Sequence, residues 1–175
     1  HILMASTSSI YGANSVMPYS EEHKADQQLT MYSATKKATE AMGHAYSNLW
    51  KLPITMFRFF TVYGPWGRPD MAFFKFARGI MEGSPIEIYN EGKMRRDFTY
   101  VGDIAESIKR LMLVPPGQGQ DTPEQPHSAS EIGSIPFQIV NIGNSEPVPL
   151  LELVDVLEKA FGKKAIRKYI GMQPG

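Results

Sequence analysis

The chain opens on an apolar run, His1 to Ala5, that breaks into four hydroxyl residues, Ser6-Thr7-Ser8-Ser9. A short apolar run bounded by polar residues predicts a buried strand. A polar stretch with the turn residues Gly12, Asn14 and Pro18 follows. From Thr30 to Lys51, Ala34, Ala38, Ala41, Ala45 and Leu49 recur at helical steps, and Pro53 marks the end of a predicted helix. Ile54 to Phe60 reads as a second buried strand. Strand, helix and strand in this order predict a parallel α/β sheet.

Past Gly64 the pattern changes. Pro65, Gly67 and Pro69 predict a structured loop, and Met71 to Met81 a helix broken by Gly83 and Pro85. Ile86 to Tyr89 predicts a short strand and Asn90-Glu91-Gly92 a turn. Asp103 is placed to cap a helix reaching Leu113. Pro115 to Ser134 is rich in Pro, Gly and Ser without periodicity and predicts an exposed loop. Phe137 to Ile142 predicts a strand, and Leu150 to Phe161 an amphipathic helix stopped by Gly162. Glu152, Asp155 and Glu158 read as that helix's solvated face, and Ala165 to Ile170 as a last strand.

Two features carry chemistry. Tyr32 and Lys36 stand four residues apart on the first helix, so phenol and ammonium share one face, about 5–6 Å apart at Cβ. A neighbouring ammonium favours the phenolate and suits the tyrosine to exchange a proton with an alcohol. In a chain with eight tyrosines such a pair also arises by chance. The second feature is the hydroxyl run Ser6 to Ser9 at the carboxyl end of the first strand, where parallel sheets bind ligands. Strand-end hydroxyls followed by Tyr-x-x-x-Lys at the start of the next helix are a much rarer combination than either alone.

Composition narrows the field. Lys plus Arg equals Asp plus Glu at 18 each, which gives no basic excess for nucleic acid. No apolar run is long enough to span a bilayer, so no membrane partner is expected. The chain has no cysteine, hence no disulfide framework, and a cytoplasmic location is expected. His23, His44 and His127 lie far apart without ligand spacing, so no metal is expected. The opening on His1 in an apolar run, and the end at Gly175 without a closing element, suggest a chain cut at both ends.

These motifs resemble the extended short-chain dehydrogenase/reductase family. The resemblance puts Thr7, Tyr32 and Lys36 in that family's catalytic roles, with Tyr32, Lys36 and Phe59 beside NAD. Arg58-Phe59-Phe60-Thr61-Val62-Tyr63-Gly64-Pro65 is similar to the segment that passes from nicotinamide to the nucleotide sugar. Arg95-Arg96-Asp97-Phe98-Thr99-Tyr100-Val101 resembles the segment whose arginine, here Arg96, binds the diphosphate. Val140-Asn141-Ile142-Gly143 fits as well. The implied fold class is α/β: the distal part of a Rossmann-type parallel sheet over residues 1–62, and over 63–175 mainly a smaller α/β substrate-binding domain, with segments returning to the first. The family's Gly-x-x-Gly-x-x-Gly fingerprint is absent, so this chain by itself is not expected to hold NAD or turn over. Members often dimerise through the Tyr-x-x-x-Lys helix, which implies a homodimer.

Within that family the residues after Thr7 discriminate. Sugar 4,6-dehydratases carry Asp-Glu there and UDP-glucuronate decarboxylases Ser-Glu; this chain has Ser8 and Ser9. A hydroxyl without a neighbouring base is a poor proton acceptor, which leaves oxidation and re-reduction at C4. The run Phe59 to Met71 is similar to UDP-glucuronate 4-epimerases. The resemblance implies a UDP-sugar substrate, with Thr7 on the C4 oxygen, Ser8, Ser9 and Thr61 on a carboxylate, Arg68 and Arg96 on the diphosphate and Tyr89 near uracil. The same hydroxyls also suit a neutral hydroxymethyl sugar, and a sugar-nucleotide-binding member without catalysis stays open.

Overall fold

The computed structural model describes residues 1–117 and 135–171. In chain order the strands and helices are β1 Ile2–Thr7, α1 Met31–Trp50, β2 Ile54–Phe59, β3 Thr61–Tyr63, α2 Ala72–Glu82, β4 Pro85–Tyr89, β5 Arg95–Tyr100, α3 Val101–Met112, β6 Phe137–Ile142, β7 Pro147–Pro149, α4 Leu150–Phe161 and β8 Ile166–Ile170. They fall into two compact units, His1–Phe60 with Gly102–Gly143, and Thr61–Val101 with Asn144–Gly175. The loop expected over Pro115–Ser134 lies, past residue 117, outside the described residues, as does His127.

In the first unit β1, β2 and β6 form a parallel sheet in that order, with Ile2 opposite Ile54 and Ile54 opposite Phe137. β2 is central and almost wholly buried, as a strand with both faces covered must be. α1 follows β1 and begins in a capping box: Thr30 Oγ1 accepts from Ser33 N at 3.0 Å while Ser33 Oγ accepts from Thr30 N at 3.2 Å. That reciprocal pair fixes the first turn, which carries Tyr32, and such caps contribute about 1 kcal/mol.

The apolar steps that predict α1 do not face the sheet. Ala38, Ala41, Ala45 and Leu49 are exposed and Ala34 is half-buried, Met42, Tyr46 and Trp50 are exposed as well, and the buried positions are Ser33, Glu40, Gly43 and Ser47. A Cβ at Gly43 would sit in ordinary contact with Met56 Sδ and Phe137 Cε2 at 3.5 Å, so a side chain larger than alanine there would have to displace them, while Glu40 is taken in by its bonds to Ser6 and Arg58.

The second unit holds a sheet ordered β3-β5-β7 and a parallel pair β4-β8. β3, β5 and β7 have no counterpart in the hydrophobic pattern: two are three residues long and β5 begins Arg-Arg-Asp. α3, which past Val101 belongs to the first unit, starts at Val101, so Asp103 sits in its first turn rather than at the cap. Phe76 of α2, Ile86 and Ile88 of β4, and Leu150 and Val154 of α4 make the core of this unit.

Glu158 is not on a solvated face. It is buried at the end of α4, where Lys164 Nζ donates to it at 2.6 Å, Arg167 Nη2 at 2.9 Å and Ala165 N at 3.1 Å. Donors from the segment after Gly162 fold back onto it, which helix periodicity cannot foresee. Lys164, then Arg167 and the Ala165 amide, hold its carboxyl down from the ordinary 4.5 to about 2. A depressed carboxyl stabilises the fold above its ordinary pKa and loses that contribution as pH falls through the folded value. The difference in Tm between the wild type and Glu158→Gln is therefore expected to be full above about pH 5 and to vanish toward pH 2. Melting curves across this range test it; a constant difference would mean the carboxylate charge is not what holds this corner.

Candidate functional site

β1 ends at Thr7 and turns at once into a 3-10 turn, Ser8–Tyr11. Thr7 caps that turn: its Oγ1 accepts from Ser9 N at 3.2 Å and donates toward Ser9 Oγ at 3.3 Å. Its side chain is buried, Ser8 is half-buried and Ser9 is exposed. Gly12 closes the turn at φ 54, where a Cβ would lie 2.0 Å from the Gln27 carbonyl oxygen, so no other residue fits there.

Tyr32 and Lys36 stand on the first turns of α1. Tyr32 is 56% exposed, so its phenol is open to a substrate. Lys36 is half-buried, and its Nζ donates to the Ala5 carbonyl oxygen at 2.9 Å, two residues before Thr7. That bond brings the ammonium of the helix to the carboxyl end of β1, joining the two chemical features of the sequence. Phe59, half-buried at the end of β2, pairs in register with Thr7 on the neighbouring strand.

Directly beneath lies a buried polar network that local sequence does not signal. Arg58 and Glu40 are each 2% exposed and form a two-pronged pair, Nε to Oε1 at 3.0 Å and Nη2 to Oε2 at 2.9 Å. Ser6 Oγ donates to Glu40 Oε1 at 2.6 Å. Arg58 Nη1 donates to the Tyr11 hydroxyl at 3.0 Å, and that hydroxyl donates to Asn141 Oδ1 at 2.7 Å. The guanidinium carbon also sits 4.8 Å from the Tyr11 ring centre. Burial alone would raise the Glu40 carboxyl, but Arg58 and then Ser6 outweigh it and hold it below the ordinary value. For Tyr11 burial wins over the same arginine, and its phenol is pushed up. Within the Arg58–Pro65 run the sequence suggests ligand contact; the Arg58 side chain itself is turned inward onto Glu40.

The second unit positions the other predicted residues on its own surface. Thr61 opens β3 opposite Phe98 and is half-buried. Arg96 is exposed on β5, opposite Val148. Its neighbour Asp97 accepts from Asn144 N and Ser145 N at 2.8 Å each, pinning the turn before β7. Arg68 lies in an exposed loop with Nε 3.4 Å from Asp70 Oδ1. Tyr89 ends β4, half-buried, its hydroxyl 3.4 Å from Glu87 Oε2. Among the described residues no group of three or more His, Asp or Glu side chains could hold a metal ion, and no helix is long and apolar enough to cross a membrane.

Residues 1–121 match the NAD dependent epimerase/dehydratase family. A probable UDP-glucuronate 4-epimerase of Rhizobium meliloti (strain 1021) is 51% identical over 175 residues, covering 100% of this chain and 51% of that protein. UDP-glucuronate 4-epimerase 1 of Arabidopsis thaliana is 45% identical, over 99% of this chain and 40% of its own length. The chain thus spans about half the length of the curated relatives it matches. Among solved structures, UDP-glucuronic acid 4-epimerase from Bacillus cereus, in complex with UDP-glucuronic acid and NAD, superposes with a TM-score of 0.81 at 32% identity, over 99% of this chain and 49% of that one. With the parallel sheet, the strand-end hydroxyls and the Tyr32–Lys36 helix all in place, a match over residues 1–121 makes this chain a member of the NAD dependent epimerase/dehydratase family.

Proposed function

We propose that the complete gene product carrying this chain epimerises UDP-glucuronate at C4, giving UDP-galacturonate, with NAD as cofactor. The observation that carries this reading is the bond from Lys36 Nζ to the Ala5 carbonyl, which sets the proton-exchanging helix against the strand end that bears Thr7, Ser8 and Ser9. The residues present fit the nicotinamide end of NAD: an open phenol, an ammonium and an aromatic side chain, Phe59, at the ends of adjacent parallel elements. A glycine fingerprint for the cofactor phosphates is not among the 175 residues, so this chain alone is expected to bind NAD poorly. NAD, when bound, supplies the hydride acceptor and donor for C4.

The chain's own residues do the rest. Tyr32 takes the proton of the C4 hydroxyl, with Lys36 one turn further along the same helix face. Thr7 holds the C4 oxygen through its hydroxyl. After the 4-keto sugar has turned its other face, Tyr32 returns the proton. Ser8, Ser9 and Thr61 are assigned to the sugar carboxylate, since charge-assisted hydrogen bonds to hydroxyls are stronger than neutral ones. Arg96, with Arg68, is assigned to the diphosphate, which a guanidinium matches with two parallel bonds. Tyr89 is assigned to the uracil.

Side-by-side turnover of the two sugars, with NMR of the products, tests the substrate. A hydrogen bond to a charged acceptor is worth about 1.5–3 kcal/mol against about 0.5–1.5 kcal/mol for a neutral one, so a preference for UDP-glucuronate of roughly tenfold is expected. Ser9→Glu should repel the carboxylate and depress activity on UDP-glucuronate more than on UDP-glucose. Equal use of UDP-glucose would remove the glucuronate assignment and keep the epimerase; UDP-pentose as main product would remove both.

The apolar stripe Met42, Tyr46, Leu49 and Trp50 on α1 supports a homodimer, because exposed apolar residues at helical spacing suit the matching face of a second copy. Tyr46 and Trp50 already pack ring on ring at 4.7 Å along it. Leu49→Glu in the complete gene product is expected to shift a dimer to monomer in sedimentation; an unchanged dimer would place the interface elsewhere.

A further inference from the structure

We infer that Glu40, gripped by Arg58 and Ser6, is a positioning residue that sets Tyr32 and Lys36 of α1 against the end of β1, an inference that rests on the acid–base reading above. Tyr32, Lys36 and Glu40 follow at four-residue steps on α1 and so share one face, with Glu40 about 6 Å further along the axis than Lys36. Glu40 is where that face is bolted to the sheet. Its two oxygens reach β1 through Ser6, the residue before Thr7, and β2 through Arg58, the residue before Phe59.

The sheet register explains why this point controls the site. Ser6, Arg58 and Asn141 are Cα partners in one row across β1, β2 and β6, and the next row is Thr7, Phe59 and Ile142, the last of each strand. Arg58 also bonds the Tyr11 hydroxyl, which bonds Asn141. The 3-10 turn that follows Thr7 and the far strand are therefore tied to the same carboxylate. One row beneath the proposed reacting groups, three strands, one helix and one turn converge on Glu40. Glu40 itself touches neither substrate nor cofactor in this reading; it acts through the placement of the groups above it.

Stability alone does not call for a charged pair here. Replacing a buried ion pair by apolar side chains of similar volume is often neutral or stabilising. What a two-pronged carboxylate–guanidinium pair supplies, and an apolar pair does not, is a fixed direction and distance. Proton exchange at the C4 oxygen and hydride exchange at C4 depend on such placement, and a misplacement of about 1 Å from a remote change can cost about a hundredfold in rate.

The test uses the complete gene product with NAD and UDP-glucuronate. Two variants separate placement from folding: Glu40→Met with Arg58→Met, which removes both charges together, and Ser6→Ala, which removes only the tether to β1. Thermal melts establish that each is folded. The expected result is kcat lowered by about ten- to a hundredfold in the double variant, and by a smaller factor in Ser6→Ala, with KM within about threefold of wild type. If the double variant does not fold, Ser6→Ala decides. A folded variant set with kcat within about twofold of wild type overturns the inference. Tyr32→Phe, run alongside, separates the two levels. If it abolishes turnover while the network variants keep theirs, the positioning role alone falls. If it keeps turnover, the acid–base reading falls and the positioning role with it.

Discussion

Tyr32→Phe in the complete gene product is expected to lower kcat by about 10²–10⁴-fold while UDP-glucuronate binding stays nearly unchanged, because general acid–base assistance is worth that much. The substitution removes one oxygen from a side chain that is 56% exposed and spends no hydrogen bond of the fold on that oxygen among the described residues. The capping box that starts α1 runs through Thr30 and Ser33, not through the phenol, so the helix stays in place. A loss of activity with unchanged melting temperature would thus report chemistry rather than damage. The kinetic pattern matters as much as its size. A group used only in the transition state lowers kcat and kcat/KM together, whereas a binding group raises KM. Titration of UDP-glucuronate by calorimetry alongside steady-state rates gives both quantities. Near-normal turnover in Tyr32→Phe would remove this residue from the reaction and leave the Tyr32–Lys36 spacing a coincidence of helix geometry.

That spacing was readable because it is local: four residues on one helix define a face without any knowledge of the fold. β1, β2, β6 and α4 were readable for the same kind of reason, since each carries its apolar pattern within its own length. What could not be read was set by partners far along the chain. Glu40 and Arg58 are 18 positions apart, Tyr11 and Asn141 are 130 apart, and no short motif announces either bond. The reach of Lys36 to the Ala5 carbonyl spans 31 positions and appears only when α1 folds onto β1. β5 escaped because Arg95, Arg96 and Asp97 break the alternation that marks a strand, and Asp97 is consumed in pinning the turn at Asn144 and Ser145. On α1 the periodic alanines and leucine correctly indicated a helix, yet the face they form is turned from the sheet and the buried face is Ser33, Glu40, Gly43 and Ser47. Periodicity identifies the helix; the side that goes in is the one on which Glu40 meets Ser6 and Arg58 and Gly43 meets Met56 and Phe137.

The largest expected loss of stability is that of Glu40→Gln alone. The glutamine keeps the shape of the side chain but leaves the Arg58 guanidinium, 2% exposed, without an opposite charge. Its remaining acceptors are the amide oxygen of the new glutamine, the Tyr11 hydroxyl at 3.0 Å and the Glu21 carbonyl at 3.4 Å, all neutral, and the glutamine NH2 opposes one of its donors. Breaking a buried pair by removing one partner costs about 3–5 kcal/mol. That is a large share of the roughly 5–15 kcal/mol that holds a typical domain folded. Arg58→Met should cost less, because the stranded carboxylate keeps Ser6 at 2.6 Å and Lys37 at 3.6 Å and can take up a proton. Removing both charges in the double methionine variant should recover most of the loss. The sign with pH follows from the Glu40 carboxyl, held below its ordinary value. Its contribution is complete above the ordinary carboxylate range and is lost as pH falls through the folded value, so the gap between wild type and Glu40→Gln should narrow in acid. Urea unfolding at several pH values measures this, with the slope m unchanged if both proteins unfold from the same compact state. A Glu40→Gln variant as stable as wild type near neutral pH would mean that the guanidinium finds another partner, and the network would then not be what ties α1 to β1 and β2.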